Sequence, residues 1–206
     1  MTMTSKLSIL HWNSCWLSQH RQAELRHRCI QNSFDVVCIC EARLKKAVSC
    51  FENYLQICRG DMLVLIRQDV SFGVIDKYTI ITDWIEIITL DLGHILLMSV
   101  YIRNGNHIDA MRKLFKIYRK ARRLYKKIII IGDLNARSET VGTVNGTNSC
   151  GRLLDEELNK SSNELVVLNN DTEYTFNRPG FTSSILDVCL VTEQVLEHVR
   201  DFRVLD

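Results

Sequence analysis

The chain has 206 residues, 46% hydrophobic and 24% charged, with a formal net charge of +2. That composition suits one large domain over residues 1–206 with a sizeable core, and it is too weakly basic to argue for a nucleic-acid partner on charge alone. No apolar run reaches the ~18 residues of a membrane span, and the N-terminal MTMTSKLSILHW is too polar for a signal peptide, so an intracellular protein with no membrane association is expected.

In chain order, KLSILHW (6–12) alternates and predicts a strand. SQHRQAELRHRCIQN (18–32) predicts an amphipathic helix, with Ser18 as N-cap and Ala23, Leu25, Cys29 and Ile30 as a partial apolar stripe. FDVVCIC (34–40) predicts a buried strand, with Cys38 and Cys40 on one face. YLQICRG and DMLVLIRQD predict two strands joined by a turn at Arg59-Gly60-Asp61. Residues 78–102 predict a strand and a hairpin turning at Asp91-Leu92-Gly93.

HIDAMRKLFKIYRKARRLYKK (107–127) gives the clearest helical pattern. Leu114, Ile117, Tyr118, Ala121, Leu124 and Tyr125 fall on one side, and nine Lys and Arg residues take the other, which reads as a solvated face. KKIIIIGDLNARS then runs from a strand buried on both faces straight into Gly-Asp-Leu-Asn. A polar loop (138–149) leads to a second helix at GRLLDEELNKS, and LVVLNN, YTFNR and ILDVCLVT predict short closing strands. Strands that alternate with helices and also pair in hairpins indicate an α/β fold of two packed mixed sheets with helices outside. The eight cysteines include no C-x-x-C pair, and free thiols serving as small hydrophobes are expected.

Polar residues recur at strand ends: Asn13 after SILHW, Glu41 after VVCIC, Tyr101 near the end of LLMSVYIRN, and Asp133 and Asn135 after the isoleucines. Asp187 stands inside the apolar SSILDV. Acids and amides beside buried strands are costly unless they are paired or bind a cation. Five strands sharing the feature predict ends that converge on one site. Oxygen donors without histidine or thiol suit Mg²⁺, and such a site most often handles a phosphate.

The ordered pieces ILHWN, HRQAELRH, DVVCICEARL, VYI, IIGDLNAR, GRLLDEEL, VVLNNDTEYTF and SSILDVCLVT, spread over residues 7–206, resemble the endonuclease–exonuclease–phosphatase superfamily. More narrowly, they resemble the apurinic-type endonuclease domain of non-LTR, jockey-like retrotransposons. The resemblance implies a DNase I-like four-layer α/β sandwich and Mg²⁺-dependent, or Mn²⁺-dependent, nicking of target DNA. It implies nuclear action and a reverse transcriptase domain of the same polyprotein as partner. It assigns metal binding to Glu41 with Asn13 in support, and the attacking water to Asp133. Asn135 would orient water and phosphate, Tyr101 would stand near the scissile phosphate, and Asp187 would orient a catalytic histidine. Thr175 matches a DNA-side polar position, and Arg43 and Arg103 are candidate phosphate contacts.

Three features depart from the family pattern. YIRNG stands where Pro-Pro often follows the tyrosine, and RGDML where Gly-Gly often precedes the third strand. The sequence ends at Asp206, before the Ser-Asp-His with which the family closes, so a truncated and nearly inactive domain is expected. None of the six histidines stands where that motif would, and His11, close to Asn13, is expected on the opposite strand face. Two other functions compete: a non-catalytic DNA-binding remnant, and a phosphatase of the same superfamily.

Overall fold

The computed structural model describes residues 6–44, 48, 51–105, 107–142, 146–170, 173–176 and 183–205. Two compact units divide the chain, the first ending at Ser71 and the second beginning at Phe72.

The first unit contains β1 (Ile9–Asn13), α1 (Gln19–Asn32), β2 (Val36–Cys40), β3 (Tyr54–Arg59) and β4 (Met62–Arg67). Its sheet has the order β1-β2-β4-β3, parallel between β1 and β2 and antiparallel elsewhere. A parallel pair needs a crossover, and α1 supplies it. Ser18 caps that helix by accepting the Arg21 N–H at 3.4 Å. Leu25 and Cys29, one helical turn apart, join Leu17, Phe51, Val37, Ile39, Leu63 and Leu65 in a core on one sheet face. The expected stripe is narrower than predicted, because Ala23 and Ile30 are exposed. Those two residues lie seven apart on another side of the helix. The β3–β4 hairpin turns at Gly60, whose φ of 59° suits glycine. His11 and Asn13 are two residues apart and share a face of β1, which corrects the expectation above.

The second unit contains β5 (Gly73–Val74), β6 (Ile80–Ile81), β7 (Ile85–Asp91), β8 (Leu96–Ile102), α2 (Ile108–Arg122), β9 (Ile128–Asp133), α3 (Ser149–Leu158), β10 (Leu165–Val167), β11 (Asp187–Thr192) and α4 (Glu193–Leu196). The sheet order is β10-β11-β9-β8-β7-β5, with β6 also on β7, and β8–β9 is the parallel pair. α2 is the crossover between them. Met111, Leu114, Phe115 and Tyr118 of α2 and Leu154 of α3 join Ile87, Met98, Val100, Ile130 and Leu190 in the core on one face of this sheet.

α2 ends five residues earlier than its pattern predicts. The N–H groups of Leu124 and Tyr125 both return to the Ala121 carbonyl, which leaves Leu124 exposed and carries the Tyr125 hydroxyl to Asp91 at 3.1 Å. The basic face is also less solvated than expected. Arg119 pairs with the buried Glu157 at 2.7 Å, and Arg122 with Glu164. In YTFNR the described residues form a single bridge, Phe176 to Ser184, rather than a strand; Arg178 lies outside the described residues. The described cysteines are free thiols, most of them buried; Cys50 is not among them. Both sheets are mixed and flanked by helices, as the pattern of elements implied. No helix among the described residues is long and apolar enough to cross a membrane.

Candidate active site

Four polar residues of the second unit stand level across four neighbouring strands. Asp187, the first residue of β11, pairs with Asp133, the last of β9. Asp133 is level with Tyr101 on β8, and Tyr101 with Glu86 on β7. Residues paired in register project to one face of a sheet, so the row is a single line of side chains. Asp187 is not inside its strand, as the sequence suggested, but at its start. The antiparallel arrangement brings that start against the end of β9.

The row is braced from both sides. Asn135, two residues past β9, has a φ of 47°, a left-handed conformation that asparagine tolerates. This turn lets its N–H bond the Asp133 carboxylate at 2.9 Å while its side-chain Nδ2 donates to the Ile102 carbonyl at 2.7 Å. Asn148 donates to the Asn135 carbonyl at 2.9 Å and also caps α3 through the Gly151 N–H at 2.7 Å. On the other side, the Thr175 hydroxyl accepts the N–H groups of Leu186 at 2.9 Å and Asp187 at 3.0 Å. The Asn169 amide brackets the same strand, donating to the Asp187 carbonyl and accepting from the Cys189 N–H. Thr175 thus sets the position of Asp187, whatever its hydroxyl hydrogen meets outside.

Glu86 was passed over in the sequence, although an acid within WIEIITL meets the criterion that singled out Asp187. It is 1% exposed and holds Arg103 at 2.8 Å. The Arg103 guanidinium lies 5.6 Å over the Tyr101 ring. A buried carboxylate paired with a half-exposed arginine fixes the arginine's position more than it stabilises the fold. Arg103 is therefore held at the rim of the row in a set orientation.

In the first unit, Asn13 ends β1 and Glu41 follows β2. Asn13 Nδ2 donates to Glu41 Oε1 at 3.0 Å, while Asn13 Oδ1 accepts the Cys15 N–H at 2.9 Å. Arg43 donates to Glu41 Oε2 at 2.9 Å. Each carboxylate oxygen of Glu41 thus has a donor that orients it, and Asn13 acts as a brace. Glu41 and Arg43 have φ values of 51° and 49°, a left-handed backbone costing of order 1 kcal/mol or more for such residues. The Glu41 carboxylate offers hard oxygen atoms, the donor type that suits a divalent cation.

The family model described as endonuclease-reverse transcriptase matches residues 95–205, more than half of the chain. Comparison with curated proteins finds none that matches. Among solved structures, the endonuclease domain of TRAS1, a telomere-specific non-LTR retrotransposon, is similar with a TM-score of 0.73 and 19% identity, covering 96% of this chain and 89% of that one. The 3′ phosphatase NExo from Neisseria, bound to a product DNA hairpin, is similar with a TM-score of 0.74 and 17% identity over 95% and 90% of the two chains. The 3′-5′ exonuclease NExo from Neisseria meningitidis gives 0.72 and 18%, with the same coverage. At these identities the likeness establishes the fold, two mixed sheets flanked by helices in the DNase I-like manner.

Proposed function

The chain belongs to the endonuclease-reverse transcriptase family, within the endonuclease/exonuclease/phosphatase superfamily, and from that membership we propose that it is the DNA endonuclease domain of a non-LTR retrotransposon. It hydrolyses a phosphodiester of target DNA in the nucleus and acts with a reverse transcriptase domain of the same polyprotein. The supporting observation is the pairing of Asp133 with Asp187 directly across β9 and β11. Like charges opposite one another weaken a sheet. Set opposite one another at adjoining strand ends, the two carboxylates bring together the oxygen atoms with which a phosphodiester hydrolase positions water and cation.

Glu41, braced by Asn13 and Arg43, is the residue to hold Mg²⁺ or Mn²⁺, an ion that when bound lowers the negative charge of a DNA phosphate. Asp133 holds the attacking water through its carboxylate and takes the water's proton. Asn135 orients that water by accepting through its side-chain oxygen, the amide plane being fixed by the bond from Nδ2 to the Ile102 carbonyl. Tyr101 meets a non-bridging phosphate oxygen. Asp187, positioned by Thr175, supplies the second carboxylate of the pair, and Arg103 and Arg43 contact the DNA backbone. The water oxygen bonds to phosphorus as the bond to the leaving oxygen breaks, and the leaving oxygen takes a proton from solvent water to become a hydroxyl.

Supercoiled plasmid tests this reading. The expected result is slow Mg²⁺-dependent conversion to nicked circles, in keeping with the weak activity expected from the sequence, abolished by EDTA and lowered further by Asp133→Ala. DNA retardation in a gel without nicking would replace it with the non-catalytic binding reading. Phosphate release from a nucleotide or lipid monoester without nicking would replace it with the phosphatase reading.

A further inference from the structure

Trp84 stands at the tip of the turn leading into β7, and its side chain is 55% exposed. The turn is tightly made. The Thr82 hydroxyl accepts the N–H groups of Trp84 at 3.4 Å and Ile85 at 3.1 Å, and the Thr82 N–H returns to the Ile85 carbonyl at 3.0 Å. The Trp84 carbonyl accepts the Arg103 N–H at 3.0 Å, which extends the β7–β8 ladder by one pair and sets Trp84 opposite Arg103.

His107 covers one side of the indole, with ring centroids 4.3 Å apart and planes inclined by 34°. Two details show that the loop is shaped for this contact. Gly105 has a φ of 135°, and a Cβ there would come within 2.6 Å of His107 Nε2, so only glycine leaves the ring its place. His107 also occupies the N-cap of α2 without capping it through its side chain. A capping residue in its place would typically stabilise the helix by ~1 kcal/mol. The imidazole is committed to the indole instead.

The result is a two-ring ledge beside Arg103 at the edge of the acidic row. Trp84 is two strands from Asp133 and two residues beyond the level of the row. With strands ~4.8 Å apart and ~3.3 Å of rise per residue, their Cα atoms are roughly 12 Å apart. Along duplex DNA, at ~3.4 Å per nucleotide, that distance is three to four nucleotides. An exposed indole at such a span from the acidic row, beside the Glu86-paired Arg103, offers a flat apolar face on which a base can stack.

Resting on the nuclease reading above, we propose that Trp84 and His107 form a stacking subsite for a DNA base turned out of the duplex stack within four nucleotides of the attacked phosphate. Base stacking on an aromatic side chain is sequence-tolerant, because every base has a π face. The subsite would therefore set how the strand lies against the row without selecting its sequence.

The test is a double-mutant cycle between protein and DNA, using the 206-residue chain with Ca²⁺ in place of Mg²⁺ to prevent cleavage. Fluorescence anisotropy measures the Kd for a labelled duplex and for duplexes carrying one abasic position stepped along four nucleotides either side of a central phosphate. Trp84→Ala is expected to weaken binding of the intact duplex about tenfold, the gain from stacking one base less the cost of taking it out of the duplex. One abasic position should cost the unaltered chain a similar factor and cost Trp84→Ala less than about twofold. Trp84→Phe should recover most of the affinity, and Gly105→Ala, which displaces His107 while keeping both rings, should lose part of it. Circular dichroism and urea unfolding establish that each variant is folded. Trp84→Ala binding within twofold of the unaltered chain, or every abasic position costing both proteins equally, would overturn the subsite and leave the nuclease reading standing. An unaltered chain that binds no DNA would remove both.

Discussion

Gly132 sits one residue before Asp133, opposite Val100 in the parallel β8–β9 pair. A Cβ at this position would overlap the Val100 carbonyl oxygen and lie 2.7 Å from its carbonyl carbon and 2.9 Å from its nitrogen. Ordinary carbon contacts begin at about 3.5 Å, so Gly132→Ala must push the Val100 carbonyl carbon back by ~0.8 Å and its oxygen by more. These atoms belong to a ladder strand and cannot swing aside as a flexible side chain would. Overpacking of this kind costs about 1–3 kcal/mol, and a lost ladder hydrogen bond adds ~1 kcal/mol. A destabilisation of ~3 kcal/mol is therefore expected, a fall in Tm of roughly 6–12 °C for a protein of this size. The displaced β8 also separates Tyr101 from Asp133 by up to ~1 Å, and a shift of that size costs catalysis up to ~10²-fold. Gly73→Ala is the control, because nothing lies within 4 Å of its added Cβ. That variant should be neutral or slightly stabilising, by up to ~1 kcal/mol. Urea unfolding gives both stabilities, and plasmid nicking per folded molecule gives the activity. Gly132→Ala unfolding and cleaving like the unaltered chain would refute the claim that a close β8–β9 approach places the acid.

Glu86→Gln should leave the fold intact yet weaken DNA binding and cleavage about tenfold by releasing Arg103. Loss of an acid alone would tighten DNA binding, so tighter binding in a filter or anisotropy assay would refute the positioning role. Burial pushes the Glu157 carboxyl up, but bonds from Lys160 and Asn163 and the charge of Arg119 outweigh it, and the net shift is downward. A lowered folded-state pKa means stability present above the ordinary glutamate range and lost as the pH falls through the lowered value. Glu157→Gln should therefore destabilise at pH 7, and urea titrations at falling pH should show the gap to the unaltered chain closing below about 4.5, where the unfolded carboxylate also takes its proton. Arg119→Glu should cost roughly 2 kcal/mol in urea unfolding by setting two acids together, while the Kd for DNA of the folded protein changes less than about threefold. A complete loss of DNA binding in that variant would make the α2 face the DNA surface. Trp16 is mostly exposed and has a φ of 77°. Trp16→Gly should relieve this conformation and raise stability by about 1 kcal/mol; a comparable loss would show that the indole is held by packing instead.

Periodicity made the helices and most strands legible, because each bears its apolar face within a short window. The errors fall where neighbours far along the chain decide. YTFNR has strand propensity, but its described residues find one bridging partner at Ser184 rather than a ladder. Leu124 continues the helical spacing of α2, yet the chain has already turned back at Ala121. The strand period of two puts His11 on the same face of β1 as Asn13. Asn148 and Glu86 escaped notice for different reasons. Asn148 looks like an ordinary cap until its second bond to Asn135 is seen, and Glu86 becomes informative only once Arg103 is opposite.

The polar strand ends carry the longest inference. Asn13, Glu41, Tyr101, Asp133 and Asn135 could each be found as a polar residue closing an apolar run, since that property is local. Which of them meet is not local. Asp133 and Asp187 are separated in the chain by α3 and β10, and only the β9–β11 register makes them partners. A slip of two residues would keep every side chain on its face and every apolar residue in the core, yet it would part the two acids by ~7 Å. Hydrophobic burial alone therefore does not specify the pair. The specification comes from polar groups at the two strand ends: Thr175 and Asn169 fix where β11 starts, and the Asn135 turn and Gly132 fix where β9 stops. Apolar residues build the sheet, and a few amides, one hydroxyl and one glycine decide which carboxylates face each other on it.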